Sequence, residues 1–277
     1  MRIRATVAAV SGALALSALA VPAAQADERP DFRSSPFVAA AQQDEVVGDT
    51  QITKVVVNGG KGIVVGTTAA KTFTIAVTAT DPSGIAGSDQ FLWHGTSFNE
   101  TGIDGALTPE QEDADCVKVN ATTSTCTVSV TVDPQIDLYK NALAGTWKVW
   151  ALTRANDGDY VSKEVAGTGL VQRASKLTAN ASPEPVVKGK PVTITGKLSR
   201  ANWETSTYAG YTAQPVKLQF RKAGTTTYST LKTVNTNSTG NLSTTSTAVS
   251  DGYWRWSFAG TSTTPAVSAA GDYLDVR

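Results

Sequence analysis

The stretch Thr72-Phe73-Thr74-Ile75-Ala76-Val77-Thr78-Ala79 decides the fold. Phe73, Ile75, Val77 and Ala79 alternate with Thr72, Thr74, Ala76 and Thr78, so one face is apolar and the other mostly threonine. A period of two puts successive side chains on opposite faces of a strand, and this composition suits a strand buried on one side and wet on the other. Cys126, Val128, Val130 and Val132 repeat the pattern against Thr127, Ser129 and Thr131. So do Val192, Ile194 and Leu198 against Thr193, Thr195 and Lys197, and Val216, Leu218 and Phe220 against Lys217, Gln219 and Arg221. Turn clusters separate the runs at Asn58-Gly59-Gly60, Asp81-Pro82-Ser83-Gly84, Asn156-Asp157-Gly158 and Ser238-Thr239-Gly240. No window long enough for a substantial helix has a 3.6 period. The chain reads as all-β: two tandem antiparallel β-sandwiches.

Outward from these runs, the 277 residues are 41% hydrophobic and 17% charged, enough for two domains with cores of their own. The 24 basic and 24 acidic residues balance, which removes the massed Lys and Arg of a nucleic-acid binder. Arg2 and Arg4 precede the apolar run Val7 to Ala20, Pro22 breaks it, and Ala24-Gln25-Ala26 is a small-x-small cleavage site. The run is shorter than the roughly 20 residues of a membrane span. Residues 1–26 are therefore expected to be a signal peptide cleaved after Ala26, and the product secreted and extracellular. The mature chain would carry 22 basic and 24 acidic residues, with no membrane span and no lipid anchor. Residues 27–49, with Pro30, Pro36 and no period, read as a disordered leader.

The two halves begin alike. Thr53-Lys54-Val55-Val56-Val57-Asn58 parallels Ser175-Lys176-Leu177-Thr178-Ala179-Asn180, each followed by a Val-Val pair and a strand. Two related modules follow, 50–173 and 174–277. Their junction Gln172-Arg173-Ala174-Ser175 lacks Gly and Pro, which suggests a semi-rigid pair.

Val192 to Arg277 resembles an immunoglobulin-like module common in secreted actinobacterial proteins. The resemblance rests on Gly196-Lys197-Leu198, Arg200-Ala201-Asn202-Trp203, Val216 to Arg221, Gly252-Tyr253-Trp254-Arg255-Trp256, Phe258-Ala259-Gly260 and Gly271 to Val276. The first module resembles, more weakly, an exported actinobacterial domain of unknown function. These resemblances imply an immunoglobulin-like fold and export, and carry no activity to transfer.

Chemistry-bearing residues are sparse. His94, the single histidine, lies in Phe91-Leu92-Trp93-His94-Gly95, with no nucleophile-elbow pattern to make it part of a catalytic triad. Zinc would want three or four Cys, His or carboxylate ligands at tight spacing. Paired carboxylates can hydrolyse glycosides without histidine, but a small sandwich has little room for a cleft. No catalytic residue and no cofactor is assigned. Cys116 and Cys126 bracket nine residues, a spacing that lets neighbouring strands bring the thiols together, and export favours a disulfide over two buried thiols. Its loop implies about 2–3 kcal/mol by chain-entropy arithmetic.

Trp254, Trp256 and Phe258 share one side of a strand and Tyr253 and Arg255 the other. Alternating large aromatics point to a core, a sugar-stacking row being the alternative. Trp147 and Trp150 face opposite sides, so one of them is expected off the main core, against a partner or the other module. The segment Asn99 to Cys116 is acidic: Glu100, Asp104, Glu110, Glu112, Asp113 and Asp115, without a basic residue. Asp104, Glu110, Glu112, Asp113 and Asp115 are candidate calcium ligands, which Asn156, Asp157 and Asp159 could join. The preferred reading of Thr108-Pro109-Glu110-Gln111 is a capped helical turn with Gln111 reaching back to the cap. The expected product is a secreted, non-enzymatic protein that binds an extracellular protein or an envelope polymer. A calcium- or polysaccharide-binding module is the alternative, and an uncharacterised hydrolase the third reading.

Overall fold

A computed structural model describes residues 44–277. The expected signal peptide, its cleavage point and the leader up to residue 43 lie outside the described residues. Among those residues the elements are strands and two single-turn 3-10 helices, at Asn58–Gly60 and Asn141–Leu143.

The first ten strands are β1 (Glu45–Val47), β2 (Gln51–Val57), β3 (Ile63–Val65), β4 (Lys71–Thr80) and β5 (Ile85–Gly95), then β6 (Ile103–Leu107), β7 (Asp115–Lys118), β8 (Thr123–Val132), β9 (Gly145–Ala155) and β10 (Tyr160–Arg173). One sheet runs β1-β10-β9-β5-β6, with β3 added parallel to the end of β10; the facing sheet runs β2-β4-β8-β7. The alternation that decided the fold sets the faces. Phe73, Ile75, Val128, Val130 and Val132 point inward against Leu92, Trp147, Val149 and Val171 of the opposing sheet. On the wet face the threonines pair across strands, Thr72 with Thr131 and Thr78 with Thr125, each Oγ1 to Oγ1 at 2.9 Å. One expectation is corrected. Glu45–Val47, assigned to the unstructured leader, is an edge strand on β10, in register Val46 to Val161.

The second ten are β11 (Ser175–Leu177), β12 (Asn180–Ser182), β13 (Pro191–Asn202), β14 (Thr207–Gly210) and β15 (Pro215–Lys222), then β16 (Ser229–Asn235), β17 (Asn241–Thr247), β18 (Gly252–Phe258), β19 (Val267–Ser268) and β20 (Asp272–Leu274). The long β13 is paired along one edge by β11 and β12 and along the other by β14 and β17. The facing sheet runs β16-β15-β18, with β19 and β20 both on β18. Val192, Ile194 and Leu198 of β13 meet Val216, Leu218, Trp254, Trp256 and Phe258. Trp254, Trp256 and Phe258 are all buried, as core aromatics. The Trp256 indole N–H donates to the Thr195 carbonyl at 3.0 Å and so ties the two sheets together.

A single residue, Ala174, separates β10 from β11, and it is bonded from both sides. Its N–H donates to the Val65 carbonyl and its own carbonyl accepts from Ala201 N–H, both at 2.8 Å. Beyond it, Ala201 and Trp203 belong to the same buried cluster as the first sandwich's core. The Trp203 indole donates to the Gly66 carbonyl at 2.9 Å, and its backbone N–H donates to Asn141 Oδ1 at 3.0 Å. Buried Arg173 donates from Nε to the Ala201 carbonyl. Burial, with repulsion from Arg200, pushes its guanidinium down to about 10.

Candidate binding face and acidic turn

Each residue singled out from the sequence has a definite place. Cys116 and Cys126 sit opposite each other on β7 and β8, joined by a disulfide of 1.97 Å. His94, near the end of β5, hydrogen-bonds through Nδ1 to Asp104 Oδ1 on neighbouring β6, and its ring lies 5.4 Å from that of Trp147. Lys140 Nζ reaches Asp104 Oδ2 at 2.9 Å. Burial works to raise the Asp104 carboxyl, but the bonds from His94 and Lys140 outweigh it and hold the group below its ordinary value. Among the described residues no hydroxyl or thiol hydrogen-bonds His94.

The acidic segment is not drawn together. Asp104 is engaged by Lys140 and His94, whereas Glu110, Glu112, Asp113 and Asp115 are exposed along the loop into β7. The capped helical turn at 108–111 does not form: these residues are irregular, and Gln111 Oε1 accepts instead from Ser129 N–H at 3.1 Å. A side chain that finds an exposed strand amide has no need of the local cap. Trp147 is in the main core and Trp150 is on the opposite face of β9. Trp150 lies off the main core as its spacing required. It is buried with Phe91, Trp93 and Leu152, under Phe98 of the loop after β5.

The carboxylates that the fold does gather are Asp49, Asp81 and Asp159, whose oxygens lie within 4.8 Å of one another. Asp49 follows β1, Asp81 follows β4, and Asp159 precedes β10. Gly48 makes the approach feasible: its φ is +74°, and a Cβ there would collide with the Asp159 carboxylate. Asp81 is buried and well supplied with donors: Thr50 Oγ1 at 2.7 Å, Ser83 N–H at 2.8 Å and Ser83 Oγ at 2.6 Å. The Ser83 hydroxyl leads the contributions that lower its pKa. Desolvation, followed by the charge of and hydrogen bond to Asp81, raises the Asp49 carboxyl, and Asp159 and Asp157 add to the effect. Protein donors therefore already supply Asp81 at the centre of this trio.

The outer face of β15-β18-β20 has a different character. Register places Arg221, Tyr253 and Tyr273 on one rung and Gln219 and Arg255 on the next. The Arg221 guanidinium lies 4.0 Å from the centre of the Tyr253 ring, and Tyr253 meets Tyr273 edge-on at 5.2 Å. Tyr228, just before β16, lies across the sheet with Arg255 3.7 Å beneath its ring. Its hydroxyl occupies the place that a Cβ on Gly271 would take. Arg255 Nε donates to Gln219 Oε1 at 2.8 Å, and Gln219 Nε2 donates to Thr230 Oγ1 at 3.2 Å. Among the described residues no carboxylate pairs with Arg221 or Arg255. Sequence reasoning turned Tyr253 and Arg255 away from the core and went no further. Charge counted by half was the available signal. Residues 174–277 hold eleven Lys and Arg against five Asp and Glu, and residues 27–173 hold eleven against nineteen.

These sheets define an immunoglobulin-like β-sandwich protein. Residues 64–153, from β3 to β9, match a family of unknown function (DUF5707). No curated protein matches the chain. Among solved structures it is similar to the D00-D0 domain of intimin, at 17% identity and a TM-score of 0.27, covering 80% of this chain and 99% of that one. The D0-D1 domain of intimin matches at 12% identity and a TM-score of 0.26, covering 80% and 98%. A chimeric titin Z1Z2 functionalized with a KLER exogenous peptide from decorin matches at 11% and 0.22, covering 86% and 98%. At such scores the fold assignment rests on the sheets themselves. Among the described residues no helix is long and apolar enough to cross a membrane.

Proposed function

We propose that the chain is an exported, non-enzymatic binding protein, and that its second module engages an extracellular protein or envelope polymer through the outer face of β15-β18-β20. The observation that carries this reading is the Arg221–Tyr253–Tyr273 and Arg255–Tyr228 array. It places two guanidiniums without carboxylate partners among three tyrosines on a solvent-facing sheet. Arginine and tyrosine are the residue types over-represented where surfaces bind. The division into modules at 173/174 supports it, because the face belongs wholly to 174–277. The export signal of 1–26 and the oxidised Cys116–Cys126 pair fit an oxidising compartment. Both cysteines lie in that bond and His94 is held by Asp104, which leaves neither an activated thiol nor a histidine–nucleophile pair.

Sedimentation of the mature protein with purified cell envelope tests the proposal. The wild type is expected to co-sediment, and the double variant Arg221→Gln/Arg255→Gln to stay in the supernatant with an unchanged melting temperature. Equal retention of the two proteins, or no retention of either, overturns it.

A further inference from the structure

We infer that the ligand of this face is an acidic polysaccharide, a polymer of sugar rings bearing carboxylates. The inference rests on the binding reading just given and adds the chemistry of the partner. Two features on the sheet have to be matched together. The first is cationic and planar. Each guanidinium is pre-ordered by an aromatic ring within 4.0 Å and by one hydrogen bond, Arg221 Nη1 to the Thr225 carbonyl and Arg255 Nε to Gln219, and the N–H groups left over can fork onto a carboxylate. Lys217, on the same outward side of β15, extends the positive charge by one more rung, where Ser257 and Ser268 share a 3.0 Å hydrogen bond.

The second feature is apolar and flat. Tyr228 lies over the sheet, half-buried, with Arg255 3.7 Å and Arg221 5.3 Å from its ring centre. Tyr273 is 39% exposed. The C–H faces of pyranose rings stack on such surfaces, while the ring hydroxyls find Gln219 and the serines. A neutral glycan would leave the guanidiniums without a charged partner, and a bare polyanion would leave the tyrosines without a ring to stack on. Acidic side chains do not crowd the Arg255 rung. The carboxylates that act on Tyr273, Asp251 and Asp275 first and then Glu184, bear on the Arg221–Tyr253–Tyr273 rung and not on the Lys217 rung at the other end of β15. An acidic polymer therefore meets least like charge along the Arg255 and Lys217 rungs of β15 and β18.

The experiment titrates the full mature chain with oligogalacturonate, with neutral maltoheptaose and with inorganic polyphosphate. Oligogalacturonate is expected to bind, with an affinity falling steeply as salt is added. Arg255→Gln and Tyr228→Ala should each weaken it at least tenfold, and Arg255→Lys should weaken it too, because an ammonium keeps the charge without the fork. Melting curves of the variants show that the surface changes leave the fold intact. Maltoheptaose binding as tightly would overturn the charge requirement. Polyphosphate binding as tightly, with Tyr228→Ala neutral, would overturn the sugar. Envelope retention that depends on Arg221 and Arg255, without oligogalacturonate binding, refutes this ligand class and leaves the binding face standing. Failure of both refutes the face.

Discussion

Replacing Trp203 with alanine should separate the two sandwiches energetically. The indole is 3% exposed and lies in the first sandwich's core cluster, although its residue follows β13 of the second. An indole of roughly 200 Å² at about 25 cal/mol per Å² corresponds to about 5 kcal/mol of burial. Large-to-small aromatic substitutions in cores cost roughly 3–5 kcal/mol. Loss of the Nε1–H bond to the Gly66 carbonyl adds about 1 kcal/mol, moderated because that carbonyl sits at a junction water can reach. A coupling of about 4 kcal/mol is enough for the wild type to unfold as one unit. Urea titration followed by circular dichroism should therefore give one transition for the wild type and two for Trp203→Ala, the first at clearly lower urea. Trp203→Phe, which keeps the packing and drops the hydrogen bond, should stay a single transition, about 1–2 kcal/mol less stable. A Trp203→Ala protein that loses less than about 1 kcal/mol and still unfolds in one step would refute the account of the junction.

Three further outcomes follow from other sites. Residues 174–277 alone should fold with a cooperative melt, but at a lower temperature than in the whole chain, because the cut exposes Trp203 and removes the Arg173 bond to Ala201; a disordered spectrum would show the two sandwiches to be one obligatory unit. Replacing both Cys116 and Cys126 with serine should cost about 3 kcal/mol in reversible melting, the chain-entropy value for a sequence separation of 10, while alkylation of unreduced wild type should find no thiol. Asp49→Asn should slow hydrogen exchange at the amides pairing β1 with β10. The Asp49 carboxyl is raised in the folded state, so seating the strand takes up a proton; seating is favoured as pH falls through that raised value and opposed above it. In wild type the same amides should therefore become better protected as pH falls from neutral toward the ordinary carboxylate range, once the intrinsic exchange rate is divided out. Unchanged protection in both experiments would show that the crowding at Asp81 and Asp159 does not act on β1.

The strands that were legible in the sequence are those whose burial is one-sided. In β4, β8, β13, β15 and β18 the alternation of large apolar residues with Thr, Lys or Arg records which face meets the core, and that information is local. Glu45–Val47 was missed for the complementary reason: a three-residue edge strand exposed along its length leaves no period to read. The turn at Thr108-Pro109 was misread because capping residues state a local preference, and here an amide of β8, eighteen residues away, competes successfully for Gln111. Nothing near Trp203 distinguishes it from a tryptophan at a strand end. Its partner Gly66 is 137 residues distant, and only the register of β3 on β10 brings them together. The same holds for Asp49, Asp81 and Asp159, which come from three connections that sequence separates widely. Tyr228, from a loop, reaches Arg255 for a related reason: the tight pairing of β15 with β16 folds that loop back over the sheet.

The bonding around Ala174 has a mechanical meaning. In a tandem joined by a linker, twisting one domain against the other costs only a few backbone rotations. Here the same twist has to shear backbone hydrogen bonds at Val65, Ala174 and Ala201 and draw an indole out of its seat. The joint therefore has low compliance, and load entering at either end passes through the sheets without being absorbed between them. The junction also offers a protease no extended, unbonded stretch to thread into its cleft. Cleavage between the two sandwiches would have to wait for one of them to unfold.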